Sequence, residues 1–200
     1  MVYNPYDHYF NKAKAEWYKA RSAFKLEEIQ NKFKLIDKGV KSILDIWCAP
    51  WSWMQYTSGL LTAMRVPEFK IIWFDIQEST VNLPNVYTYI QDVTNIEKID
   101  GILESHDIKQ VDFIQSDMAP NTVGHKSIDA IRSIWLLEDT LRIYKKYLKP
   151  DGKFAIKIFM GPWFEEFVSG LKEVFGTKKI KIFKPKSCRS ISKETYIIKI

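Results

Sequence analysis

Glycine is scarce in this chain. Eight glycines in 200 residues is little more than half the usual share of about 7%. Cysteine is scarcer still, and Cys48 and Cys188 are too few for a disulfide framework or a zinc site. No apolar run approaches the ~18 residues that cross a bilayer. Met1 to Phe10 holds no basic stretch followed by an apolar one. Neither a membrane span nor a signal peptide is therefore expected, and the protein is expected in the cytoplasm. Repeats, low-complexity tracts and composition breaks are missing too. This excludes repeat arrays and leaves residues 1–200 as one expected domain, long enough to bury a sizeable core.

Positive charge is plentiful and unevenly spread. The formal net charge is +6. Lys178, Lys179, Lys181, Lys184, Lys186, Arg189 and Lys193 fall in a segment without a single acid, and Lys12, Lys14, Lys19, Arg21 and Lys25 cluster near the N-terminus, where residues 1–21 read as a basic arm. Clustered cations suit a polyanion such as RNA, although the same pattern also serves plain solubility.

Hydrophobic periodicity supplies the elements. Helices are expected from Ser22, as cap, to Phe33, over 53–64, 95–105, 127–148 (closed by Pro150-Asp151-Gly152) and 163–175. Strands are expected at 43–47, 70–74, 85–90, 110–116, 153–159, 179–183 and 195–200. Alternating strands and helices imply an α/β fold: a mostly parallel, doubly wound sheet of about seven strands. The connection between the last two strands is too short for a crossover helix, so they should be antiparallel neighbours.

Chemistry gathers at the predicted strand ends. Asp45, Asp75, Asp92 and Asp117 lie within or just past the C-terminal ends of four strands, the edge where open α/β sheets bind ligands. The segment 43–53 reads as strand, tight turn and helix start, a frame for a nucleotide-like ligand because it offers backbone N–H groups. Lys157 sits inside Phe154-Ala155-Ile156-Lys157-Ile158-Phe159. A lysine in a strand apolar on both faces is costly unless paired or functional, and Asp117 on the neighbouring strand could stabilise its charge.

Six segments, in order and spanning nearly the whole chain, resemble the FtsJ/RrmJ family of S-adenosylmethionine-dependent RNA ribose 2′-O-methyltransferases. They are 19–26, 44–55, Ile72-Trp73-Phe74-Asp75, Ser116-Asp117-Met118-Ala119-Pro120-Asn121, Lys157-Ile158-Phe159 and Ser192-Lys193-Glu194-Thr195-Tyr196. The resemblance implies a Rossmann-like methyltransferase fold and a catalytic tetrad of Lys25, Asp117, Lys157 and Glu194, with no metal. It implies S-adenosylmethionine over Trp47, Cys48, Ala49, Pro50, Trp51, Ser52 and Trp53, its ribose on Asp75, its adenine edge on Asp92 and its methionine end on Asp117. Lys157 would act as general base, or would steer a lone pair of the ribose hydroxyl. Lys12, Lys14, Lys19, Arg21, Lys184, Lys186 and Arg189 would take RNA phosphates. The implied substrate is a ribose, of uridine, in large-subunit ribosomal RNA or a ribosomal particle, with transfer RNA and an mRNA cap as alternatives. A monomer is expected.

One departure from the family pattern is systematic. Positions 17, 47, 51, 73 and 163 hold tryptophan where glycine is expected, whereas Trp53 matches a family tryptophan. At 47 and 51 an indole would crowd the donor and penalise a positive φ. Exchanging the five would bring glycine close to its usual share. UGA codons that mean glycine in the source, read as tryptophan, would produce this pattern. The rival reading is a degenerate, non-catalytic methyltransferase fold kept for RNA binding.

Overall fold

The computed structural model describes residues 8–46, 51–78 and 81–200. The elements are α1 His8–Ala15, α2 Ala23–Phe33, β1 Ser42–Ile46, α3 Ser52–Ala63, β2 Lys70–Asp75, β3 Val86–Ile90, α4 Ile96–Ser105, β4 Val111–Ser116, α5 Lys126–Tyr147, β5 Leu148–Phe159, α6 Phe164–Phe175, β6 Ile180–Phe183 and β7 Glu194–Lys199. They build one seven-stranded sheet in the order β3-β2-β1-β4-β5-β7-β6. Strands β1 to β5 run parallel, and β7 pairs antiparallel with both β5 and β6. The antiparallel ending and the Rossmann-like order agree with the reading of the sequence.

Alternation along the strands divides the core in two. Leu44, Ile46, Ile72, Phe74, Ile114, Phe154 and Ile156 face α4, α5 and α6. Ile43, Ile71, Trp73, Phe113, Ala155, Tyr196 and Ile198 face α2 and α3. The strand order reverses between β1 and β4, so a crevice opens outside their C-terminal ends. A buried polar chain crosses this point: Thr57 Oγ1 donates to Gln115 Oε1 at 2.7 Å, and Gln115 Nε2 donates to Asp45 Oδ2 at 2.6 Å. Asp45 is thus engaged in the fold, not displayed at its edge.

Two local expectations are corrected. The 150–152 triplet does not end the long helix and precede the strand. Instead β5 begins at Leu148, and the pairing with β4 jumps from Val111↔Leu148 to Phe113↔Lys153. The turn-forming triplet is absorbed as a bulge, held by Lys199 Nζ, which donates to the carbonyls of Pro150 and Gly152. Ser22 precedes α2 but makes no capping bond. Its hydroxyl lies 2.5 Å from Ser52 Oγ and its carbonyl accepts from Trp53 Nε1 at 2.8 Å, so tertiary partners have replaced the local one.

Three tryptophans stand in the left-handed region: Trp17 (φ 62°), Trp51 (φ 67°) and Trp163 (φ 64°). For a residue with a Cβ that conformation costs roughly 1–2 kcal/mol. Trp73 has an ordinary strand backbone and is fully buried.

Gln115→Leu should leave the Thr57 hydroxyl without its acceptor and deprive Asp45 of a donor. The expected loss is about 1–3 kcal/mol, read as a lower urea midpoint with an unchanged denaturant slope.

Candidate active site

Four polar side chains, far apart in sequence, meet at the C-terminal edge of β4 and β5. Lys25 projects from α2. Asp117 follows β4 directly. Lys157 lies near the end of β5, and Glu194 opens β7. Register explains the convergence: Ser116 pairs with Ile156, Lys157 with Tyr196, and Phe159 with Glu194. Lys157 Nζ lies 3.1 Å from Asp117 Oδ1 and also donates to the Asp117 backbone carbonyl. Lys25 Nζ lies 2.5 Å from Glu194 Oε1. Tyr196 joins the two pairs, its hydroxyl 2.8 Å from Asp117 Oδ1 and 2.6 Å from Glu194 Oε1. Its ring, fully buried, packs 5.5 Å from that of Trp53.

The electrostatics follow from burial and pairing. Burial works against a charge on Lys25, but the Asp117 and Glu194 carboxylates outweigh it and raise the lysine pKa. Burial would lift the Glu194 carboxyl, yet Lys25 and Lys157 hold it well below the usual carboxylate range. The Tyr196 hydroxyl is pushed well up, first by burial and then by the two acids, so it stays a proton donor. Cys188 is pushed up to about 12 by burial and by Glu194, and its thiol lies 3.5 Å from Glu194 Oε1.

A 660 Å³ cavity opens beside the tetrad. Lys25 and Glu194 reach it, Arg21, Lys126, Arg189 and Lys193 supply its charge, and Phe159 and Ile191 supply apolar wall. Of the cations expected to meet RNA, Arg21 and Arg189 line this cavity. The Arg21 guanidinium also donates to the Ser187 carbonyl. Lys184 turns back to the Ser192 carbonyl at 2.6 Å. Lys186 is tethered through its backbone N–H to Glu28. Lys12 lies 4.1 Å from the Phe24 ring centroid, with Glu16 and Glu27 within 3.7 Å. Lys14 lies over Phe10, and the Lys19 backbone N–H donates to Gln55 Oε1. The site thus draws on fewer of the N-terminal cations than expected. It also draws in Lys193 from the acid-free basic segment, and adds Lys126, which carries no local signal, and Tyr196, whose link between the acids exists only once β7 has paired.

The expected donor residues are dispersed. Trp47, Cys48, Ala49 and Pro50 lie outside the described residues. Trp51 begins α3, with its ring packed against the α2/α3 side of the core. Ser52 and Trp53 are fully buried, so Trp53 supports the tetrad from beneath. Asp75 is buried at the end of β2 and accepts from the Gln77 N–H at 3.0 Å. Asp92 is exposed and closes a turn by accepting from the Thr94 N–H at 2.8 Å.

The Lys25–Glu194 pair predicts a signed pH dependence. Glu194, depressed, contributes stability above the ordinary carboxylate range and loses it as pH falls through its lowered pKa. Lys25, raised, contributes fully below the ordinary lysine range and loses it as pH rises through its raised pKa. Lys25→Met leaves a buried carboxylate uncompensated. It should cost about 3–5 kcal/mol at neutral pH, and the cost should shrink in acid as Glu194 takes up a proton. Urea unfolding of both proteins across acidic and neutral pH checks this.

Comparison with known proteins agrees with the geometry. The FtsJ-like methyltransferase family model matches residues 18–200. A ribosomal RNA large subunit methyltransferase E of Desulforapulum autotrophicum is 42% identical over 193 residues, covering 96% of this chain and 90% of the relative. Its counterpart in Bdellovibrio bacteriovorus is 38% identical over 198 residues, covering 99% and 97%. A crystal structure of a ribosomal RNA methyltransferase from Plasmodium falciparum superposes with a TM-score of 0.75 at 28% identity, covering 91% of this chain and 97% of that one. This chain belongs to the FtsJ-like methyltransferase family.

Proposed function

We propose that the protein transfers a methyl group from S-adenosylmethionine to a ribose 2′-oxygen of large-subunit ribosomal RNA. It would act as a single-domain monomer in the cytoplasm. The observation that carries this reading is the convergence of two amines and two acids beside a cation-lined cavity that Lys25 and Glu194 reach. The residues at the strand ends fit the donor: Asp75 offers a carboxylate suited to ribose hydroxyls, Asp92 one suited to an adenine amino group, and Asp117 an acid near the sulfonium end. When bound, S-adenosylmethionine supplies a methyl group already activated by a positive sulfur.

The chain's own residues then have two tasks: to hold the acceptor hydroxyl in line and to order its lone pairs. Lys157 has three N–H donors as an ammonium. Two go to the carbonyl and carboxylate of Asp117. The third is left for the 2′-oxygen, which favours steering of the lone pair over abstraction of the proton. The proton leaves the 2′-oxygen to solvent in the cavity as the C–O bond forms. Lys25, kept cationic by Asp117 and Glu194, fixes Glu194. Tyr196 is a positioning residue that couples the two acids. Arg21, Lys126 and Arg189 hold backbone phosphates, giving affinity without sequence choice. With all four tetrad groups in place, no observation favours the degenerate reading.

Three measurements test this. Lys157→Ala should abolish transfer while leaving donor affinity, read by calorimetry, close to that of the parent. Lys126→Ala combined with Arg189→Ala should weaken binding of single-stranded RNA and reduce the slope of log K against log salt by about 1.4; an unchanged slope would place the RNA elsewhere. Mapping of 2′-O-methyl groups in cells lacking the gene should show one large-subunit position lost, and unaltered ribosomal methylation would defeat the substrate assignment.

A further inference from the structure

The tryptophans among the described residues separate into two groups on structural grounds alone. Trp53 sits within α3, donates from Nε1 to the Ser22 carbonyl at 2.8 Å and packs on Tyr196. Trp135 is an ordinary residue of α5. Both positions have a backbone and surroundings that suit an indole. The others do not.

Trp17 ends α1 in a complete Schellman motif: the Tyr18 N–H donates to the Ala13 carbonyl at 2.9 Å and the Trp17 N–H to the Lys14 carbonyl at 3.3 Å. The left-handed residue of that motif is usually glycine, because a Cβ is penalised there. Trp17 fills it with a side chain that is 88% exposed. Trp51 and Trp163 precede α3 and α6 as left-handed caps without a side-chain capping bond. An indole has no acceptor to offer there, whereas glycine is tolerated. The remaining left-handed non-glycine residues are Lys34, Arg65, Glu68, Asn85 and Asp107, all polar and none aromatic. A second observation is independent of the backbone. The indole N–H groups of Trp51 and Trp73 are buried and have no hydrogen-bond partner, although a buried indole usually finds one.

The residues marked by strain or by an orphaned N–H are 17, 51, 73 and 163. These are also the described positions at which the motif pattern calls for glycine. Backbone angles and indole hydrogen bonding did not enter that pattern, so the two lines of argument are separate.

We infer that the protein made in its natural source carries glycine at 17, 51, 73 and 163. The codon at each is UGA, read there as glycine and rendered as tryptophan in the sequence as written. The functional consequence falls on the donor turn. With glycine at 51, α3 begins on a bare left-handed residue, and the backbone N–H groups at its start can approach a ligand closely. Residue 51 is then what opens the donor-binding end of the sheet. Trp53, which is a genuine tryptophan, keeps its place in the core. A host that reads UGA as stop would end translation before residue 17 and make no enzyme.

The inference does not depend on the proposed activity, and neither does its test. The codons at 17, 51, 73 and 163 are read from the gene, and peptides covering them from the native organism are weighed by mass spectrometry. UGA codons with glycine in the native peptides are expected; UGG codons, or tryptophan in those peptides, would overturn the inference. A stability test runs beside it on the chain as written. Trp17→Gly and Trp163→Gly, at the two exposed left-handed sites, should each raise the thermal midpoint, whereas Trp53→Gly should lower it by many degrees. Lowered midpoints at 17 and 163 would show that the left-handed sites are built for indole, and would also count against the proposal.

Discussion

The structure depends on placing four ionisable groups in a nearly dry pocket around one phenol. Lys25, Lys157, Asp117 and Glu194 are largely withdrawn from water, and burying any one of them alone would cost several kcal/mol. Together they balance to zero charge, with Tyr196 lying within hydrogen-bond distance of both acids. A hydroxyl has one proton to donate, so it can satisfy only one carboxylate at a time, and the two ion pairs are thereby coupled. Each group arrives from a different element: α2, the end of β4, β5 and β7. The cluster therefore exists only when β7 has inserted between β5 and β6, and in return it locks that insertion.

The surroundings follow from this arrangement. The cavity lies beside the cluster, not over it, and its added cations come from the segment before α2, the first residue of α5 and the stretch before β7. Arg21, Lys126, Arg189 and Lys193 are thus gathered from distant segments onto one cavity. On the other side, the strand reversal between β1 and β4 puts Asp75 and the start of α3 at the same sheet edge.

Much of the fold was legible, because buried parallel strands and amphipathic helices write their periods plainly into the chain. Lys157 stood out as a charge within an apolar run, and Asp117 as an acid closing a strand. Lys25 and Glu194 gave no such signal: Lys25 lies on an amphipathic helix, where a lysine is ordinary, Glu194 stands between Lys193 and Thr195, and only the motif resemblance singled them out. Tyr196 figured only as the end of the 192–196 motif, with no role of its own. The resemblance placed Trp53 among the donor contacts, and the structure shows it buried in α3 against Tyr196. Local rules failed where a distant partner outbid them, as when Ser22 gave its hydroxyl to Ser52 instead of capping α2, and when Lys199 captured the 150–152 carbonyls within a strand.

The sequence by itself determined the alternation of strands and helices, the antiparallel ending, the basic segments and the misfit of tryptophan at glycine-like positions. All of these are encoded over a few neighbouring residues. Tertiary structure alone decided which cations line the cavity, which acid pairs with which amine, and that a tyrosine links them. Those outcomes rest on register and on contacts between residues as many as 169 positions apart, from Lys25 to Glu194, where the energy of burying charge, and not any local preference, selects the partner.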